Sequence, residues 1–362
     1  MKKIESFSRG MGIGGWLTNY KRFNVLPSER RMCITIGDME HFESYITEKD
    51  IAYIASLGMD HVRLGFDQIV VEQSPYTYRK SIVDILKSFV RWCRKYNMRP
   101  VLNMHKAIGN YCDIPEEGGL MQNEELQNRF VALWVMLEDE FAGENDVVFE
   151  LLNEAVGATP EEWNLVAQKA IAALRAKNRD RLLVVGGVEW NNPPALPYLK
   201  IYDDENIIYT FHCYAPHEFT HQQGVLQAPQ LFYNRKMPYP CDDIERYRDY
   251  HRVVYGTNEY EGYDKMDIAF LYDYLAPVKD FIEKHPDKIL WCGEFGTIRH
   301  AKIEWRESWM RDMITILKEW DIPYCVWNYL STPNDGNRFS LVDDDNRRVL
   351  SGELEKIISG DV

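Results

Sequence analysis

The chain has 362 residues, 45% of them apolar, with a formal net charge of −14 and a pI near 5.2. That length suits one α/β barrel or two smaller domains, and the apolar fraction excludes global disorder. Nucleic acids and anionic membrane surfaces both require a basic face, so neither is expected as a partner, and a neutral substrate fits the charge best.

The opening stretch, MKKIESFSRG, has two lysines but no apolar core. No signal peptide is read there, so a cytoplasmic location is expected, or secretion if a signal has been removed. No apolar run is long enough to span a membrane. The seven cysteines (Cys33, Cys93, Cys112, Cys213, Cys241, Cys292 and Cys325) are odd in number, scattered, and form no C-x-x-C pair. They read as buried reduced thiols.

Short apolar runs alternate with helix-period segments along the whole chain. Strands are expected near 10–16, 60–66, 99–105, 146–154, 181–188, 207–214, 288–296 and 322–330. Amphipathic helical segments are expected at 48–57, 79–96, 124–141, 161–178, 267–285 and 304–320. In 161–178 the set Trp163, Val166, Ala170, Ala173 and Leu174 follows a helical repeat. Eight strand-then-helix beats with no linker between halves predict a single (β/α)8 TIM barrel over 1–362. One connection is abnormal. Residues 215–265, after the sixth strand, are too many for an ordinary loop and read as an inserted small subdomain rich in tyrosine. Its tyrosines would form either a small hydrophobic cluster or a ring overhanging a cleft, and 242–255 has helical character.

A barrel gathers its chemistry at the C-terminal ends of its strands. In order, those ends offer Arg63, His105, Asn153-Glu154, Trp190-Asn191, His212 with Tyr214, Glu294, and Trp327. Glu154 and Glu294 lie far apart in sequence but face one mouth. Two carboxylates across a cleft suit glycosidic bond cleavage, and aromatic residues at the rim suit the C–H faces of a sugar. Glu150 shares strand parity with Glu154 and reads as a structural, inward-pointing partner of Arg63.

The stretches GGW (14–16), DHVRLGFD (60–67), NMH (103–105), FELLNE (149–154), FHCY and FTHQ (211–222), CGEFG (292–296) and VWNY (326–329) resemble glycoside hydrolase family 5, the cellulase-type retaining barrels. The closest likeness is to short single-domain clostridial endoglucanases with a helical insert after the sixth strand. The resemblance implies Glu154 as general acid/base and Glu294 as nucleophile, with Arg63 and Tyr214 holding Glu294 ionised. It implies that Asn153 bonds the sugar 2-hydroxyl, that His105 and His212 line the same subsite and that Trp327 is its floor; Trp190 is a further candidate for substrate binding. It implies β-1,4-glucan or cello-oligosaccharide as substrate, double displacement, a monomer, and no metal or organic cofactor. Relatives often carry Asn in place of Gly12, Asp in place of Asn103 and Pro in place of Ala155, which bears on subsite detail. Mannan, xyloglucan or mixed-linkage glucan, or exo-acting cleavage of oligosaccharides, remain alternatives within the class. A sugar-binding barrel without turnover is the alternative outside it.

Two motifs are set aside. HEFTH (217–221) spells the zinc-protease signature, but it follows Pro216 and is expected in a loop, where the two histidines would not share a helix face. GMGIGG (10–15) fits a dinucleotide fingerprint, but the strand, turn and helix order that motif needs is not there.

Overall fold

The computed structural model describes residues 3–20, 34–112, 118–224, 235–333 and 335–360; Cys33 and Tyr233 lie outside that set. Eight strands, all parallel, close into a barrel: β1 (Arg9–Leu17), β2 (His61–Asp67), β3 (Arg99–Lys106), β4 (Val148–Glu150), β5 (Leu183–Gly186), β6 (Ile207–Cys213), β7 (Ile289–Phe295) and β8 (Tyr324–Val326). Each strand pairs with its neighbours in sequence, and β8 closes on β1 through Arg9, Gly10 and Met11. The fold is a (β/α)8 TIM barrel.

Outside the strands lie α1 (Ile36–Ser44), α2 (Glu48–Ser56), α3 (Lys80–Lys95), α4 (Glu124–Glu140), α5 (Pro160–Lys177), α6 (Glu245–Val254), α7 (Ile268–Tyr274), α8 (Ala276–Lys284), α9 (Ile303–Glu319) and α10 (Gly352–Ser359). Local chemistry sets several of their starts. Thr159 caps α5, with Glu162 reaching back to its backbone and Pro160 in the first turn. Asn123 accepts from two free N–H groups of α4. The segment 267–285 is not one helix. Pro277 cannot donate to the preceding turn, and the chain breaks at Leu275 between α7 and α8.

Two apolar layers share the strands. Residues pointing outward pack under the helices in one continuous core. Residues pointing inward, among them Val101, Val148, Val184, Ile208, Ile289, Trp291 and Cys325, fill the lower barrel. Above that plug the interior turns polar with Arg63 and Glu150, both fully buried. The guanidinium donates to Glu150 through Nε at 2.6 Å and Nη2 at 2.9 Å, a bidentate charge-assisted pair.

Strands four, five and eight are shorter than the sequence pattern suggests. β4 leaves the ladder at Glu150, so Asn153 and Glu154 sit in the turn beyond it. There Asn153 N–H donates to the Met104 carbonyl at 2.9 Å, and Glu154 takes a left-handed φ of 46°. Three indoles pin such strand exits from outside the barrel. Trp134 of α4 donates to the Leu151 carbonyl, Trp163 of α5 to Gly186, and Trp309 of α9 to Ala215, at 3.0, 2.8 and 2.9 Å. Each buried indole satisfies its own N–H while fixing the start of a loop that carries polar residues.

The insert contains α6, as its helical character suggests, and its Tyr239, Tyr247 and Tyr250 are buried. It is tied back to the barrel by Tyr239 donating to Asp312 of α9 at 2.8 Å, and within it Gln222 bonds both backbone groups of Met237. None of the six described cysteines forms a disulfide, and all six are buried.

The Arg63–Glu150 pair supports everything above it in the barrel. Glu150→Ala would leave a buried guanidinium charge short of its main partner and should cost about 3 kcal/mol or more. Urea denaturation of the two proteins measures it. A loss under ~1 kcal/mol, the range of an exposed ion pair, would refute a structural role for the pair.

Candidate active site

At the C-terminal mouth, the strand ends bring together Arg63, His105, Asn153, Glu154, His212, Tyr214, Glu294 and Trp327. Strand alternation places Arg63, His105, His212 and Trp327; Asn153 and Glu154 come from the turn beyond β4, and Glu294 departs from the alternation of its own strand. In β7, alternation from the inward Trp291 would turn Glu294 outward. The register with β6 shifts by one residue here: Phe211 opposes Cys292, yet His212 opposes Glu294. The extra residue is Gly293, which packs against the Thr210 hydroxyl, where an added Cβ would lie only 2.4 Å from Oγ1. The bulge rotates Glu294 back into the barrel, a device common beside active sites.

Glu294 is then held from two sides. Arg63 Nη1 donates to Oε2 at 2.6 Å and the Tyr214 hydroxyl to Oε1 at 2.6 Å. Burial pushes the carboxyl above the ordinary glutamate range; His212, Arg63 and the Tyr214 hydrogen bond oppose that, and Glu154 adds to it. The net direction is upward. Arg63 and Tyr214 favour the ionised form, as expected of them, while enclosure of the carboxylate acts against both. Tyr214 itself, raised first by burial and then by Glu294, stays a hydrogen-bond donor.

Asn153 turns its Oδ1 to Arg63 Nη2 at 2.7 Å, so the same guanidinium holds Glu150, Asn153 and Glu294. Glu154 meets His212 on the other side of the cleft, with Nδ1 2.9 Å from its Oε1. His212 is fully buried, and its pKa is lowered to about 4 by burial, with Arg63 helping and Glu294 and Glu150 opposing. At neutral pH the imidazole is therefore uncharged. One oxygen of Glu154, one of Glu294 and one ring nitrogen of His212 all lie within 4.8 Å of one another. Two carboxylates and an imidazole also match a metal ligand set by donor type. Here, however, a guanidinium already sits on Glu294 and would repel a cation.

Trp327 is buried and follows β8 through a cis peptide to Asn328. His105 stacks on its ring at 5.2 Å and 8°, and Arg63 lies 5.8 Å from the ring centre. Burial, then Arg63 and Lys106, hold His105 well below its ordinary pKa, so it too is neutral. Trp190 stands apart from this group at the rim, 39% exposed, with its indole N–H donating to the Cys112 carbonyl at 3.0 Å.

Two participants, Asn19 and Cys112, went unread from sequence, and Asn191 was placed at a strand end without a role. Asn19 reaches His105 Nε2 at 3.4 Å and accepts from Lys106 at 2.6 Å. The Cys112 thiol lies 3.9 Å from the Asn153 amide. Asn191 contacts His212. None has a local signature, since each reaches the site from a loop. HEFTH is also not wholly loop: His217–Thr220 forms one helical turn. Its two histidine rings stack at 4.0 Å, and Glu218 is taken by Tyr260 at 2.7 Å and by His251 of the insert.

Comparison with known proteins agrees with this arrangement. The family model described as Cellulase (glycosyl hydrolase family 5) matches residues 28–332. Endoglucanase C of Acetivibrio thermocellus is 34% identical over 98% of this chain and 98% of its own length. Endoglucanase C307 of Clostridium sp. (strain F1) matches with the same identity and the same coverage of 98% on both sides. Among solved structures, Cel5A of Thermotoga maritima in complex with cellobiose superposes with a TM-score of 0.74 over 98% of both chains at 21% identity, a likeness of fold.

The electrostatics can be read directly. In a carboxyl ¹³C NMR titration Glu294 should titrate above an ordinary glutamate. Tyr214→Phe removes a donor that favours the ionised form, so the midpoint should rise further. A fall, or no change, would contradict the geometry.

Proposed function

This chain belongs to glycoside hydrolase family 5, and from that premise we propose that it is a retaining endo-β-1,4-glucanase acting on β-1,4-glucan and cello-oligosaccharides. The observation that carries the reading is the approach of the Glu154 and Glu294 oxygens within 4.8 Å. Retaining glycosidases hold their carboxyl groups about 5–5.5 Å apart, whereas inverting ones need room for a water and sit about 6.5–9.5 Å apart.

Glu294 attacks the anomeric carbon while Glu154 gives its proton to the departing glycosidic oxygen. The C–O bond breaks, and a glycosyl ester forms on Glu294. Glu154, now ionised, takes a proton from water, whose oxygen attacks the same carbon and releases Glu294. Asn153 is assigned to the sugar 2-hydroxyl, with its Oδ1 oriented by Arg63. Trp327, backed by the neutral ring of His105, offers a flat apolar face to the same sugar. Trp190 offers an exposed ring further out. Nearly uncharged surfaces of this kind suit a neutral polymer better than an ionic one. The relatives named endoglucanases, covered over almost their full length, support the β-1,4-glucan assignment.

A 2-deoxy-2-fluoro cellobioside with an activated leaving group should label Glu294 and no other residue, as peptide mass spectrometry would report. Glu294→Gln should lower kcat/KM by on the order of 10⁴-fold or more, since nucleophile removal elsewhere costs at least that. If wild type and variant were equally slow on an aryl cellobioside, the protein would be a sugar-binding barrel instead. Rates on cello-oligosaccharides, mannan and barley glucan compared side by side test the linkage.

A further inference from the structure

The acid/base proposed above must keep its proton available to the substrate, and its neighbour makes that conditional. His212 is neutral, so one of its two ring nitrogens carries a hydrogen. If Nδ1 carries it, His212 donates to Glu154 Oε1 and the acid's own proton belongs on the other oxygen. If Nε2 carries it, Nδ1 is a bare acceptor 2.9 Å from Glu154. The carboxylic proton would then be drawn into that contact, away from the glycosidic bond. Which tautomer is present depends on what faces Nε2.

Asn191 faces it. Its Nδ2 lies 3.4 Å from His212 Nε2. Asn191 is 2% exposed, and its Oδ1 is buried with no hydrogen-bond partner among the described residues. Either orientation of the amide leaves one of its ends unpaired, so its own bonding does not decide the matter. The carboxylate on the far side of His212 does. A Glu154 oxygen accepts from Nδ1–H, Nε2 is then bare, and the amide must present its N–H₂.

The backbone is built to hold this amide in place. Glu189, Trp190 and Asn191 are successive residues with φ of 53°, 57° and 56°, a left-handed turn that brings the side chain back over β5. There it lies on Gly186, where an added Cβ would come within 2.4 Å of Oδ1 and 2.6 Å of Nδ2. Left-handed backbone at three non-glycine residues is costly and persists where the surroundings impose it.

We propose that Asn191 is a positioning residue whose N–H₂, held against Nε2, reinforces the Nδ1–H tautomer of His212 that Glu154 selects, so that Glu154 keeps its catalytic proton directed at the substrate. Asn191 touches neither sugar nor nucleophile in this scheme and acts only through His212. The proposal rests on the glycosidase reading for its consequence but not for its geometry.

The test uses Asn191→Asp, since aspartate tolerates the same backbone angle and offers only acceptors. Long-range ¹⁵N–¹H spectra of histidine-labelled protein report which nitrogen of His212 is protonated. The expected result is Nδ1–H with bare Nε2 in the wild type, and a protonated Nε2 in the variant. Kinetically, the variant should lose about 100-fold in kcat/KM on cello-oligosaccharides, the lower range for general acid catalysis. It should lose less than about threefold on 2,4-dinitrophenyl cellobioside, whose leaving group needs no proton. Should Asn191→Asp not fold, Gly186→Ala displaces the amide from beneath and should give the same split between substrates. A wild-type His212 protonated at Nε2, an unchanged tautomer in the variant, or equal losses on both substrates would each overturn the proposal. A wild type that cleaves no glucoside would sink the glycosidase reading alone, because the tautomer is read without turnover.

Discussion

One buried guanidinium organises the catalytic end of this barrel. Arg63 rises from the apolar plug and is fully enclosed, a costly position for a charge. It is satisfied by Glu150 beneath it, Asn153 beside it and Glu294 above it. Burial disfavours its charge, yet Glu150 and Glu294 together drive its pKa upward, so it stays a cation. Because the fork is planar and its donors are fixed, the three acceptors cannot drift independently. The amide assigned to the 2-hydroxyl and the carboxylate assigned to attack are thereby held in one frame.

The opposing carboxylate is held differently. Among the described residues Glu154 meets a neutral imidazole, and its side chain is 13% exposed against 6% for Glu294. Like chemistry in unlike surroundings is how one site separates an acid from a nucleophile. The separation has a backbone origin. Glu294 enters through a bulge in a strand, whereas Glu154 sits past a strand end in a left-handed turn. The chain beyond β4, β5 and β6 is in turn pinned by indole donors from the surrounding helices. Helix packing outside the barrel therefore contributes to geometry inside it.

Much of this was readable from the residues. The apolar runs located all eight strands, and the polar residues ending them named the members of the mouth. Glu150 could be placed inward by parity alone. Other features were not readable. The shift at Gly293 leaves no trace in an alternation pattern that already ends in glycine and glutamate. The ends of β4, β5 and β8 were overextended because apolar composition continues past the last ladder bond. Asn19 and Cys112 come from loops, where spacing carries no geometric information, and the contact of Asn191 with His212 was equally unreadable. The upward pull of burial on the Glu294 carboxyl was not readable either, because a sequence shows the partner charges but not the solvent excluded around them.

Taken by itself, the amino-acid order determined the barrel, the strand that carries each polar group, and the pairing of two glutamates with an arginine, a histidine and an aromatic floor. The barrel and the strand that carries each polar group follow from periodicity and residue chemistry, which are local; the pairing is what the family resemblance implied. Only the folded chain decided how far apart the two carboxylates stand, which way the bulge turns Glu294, and what lies behind His212. Those depend on closure of the sheet and on burial, which sum contacts between residues distant in sequence and so cannot be read from any one segment.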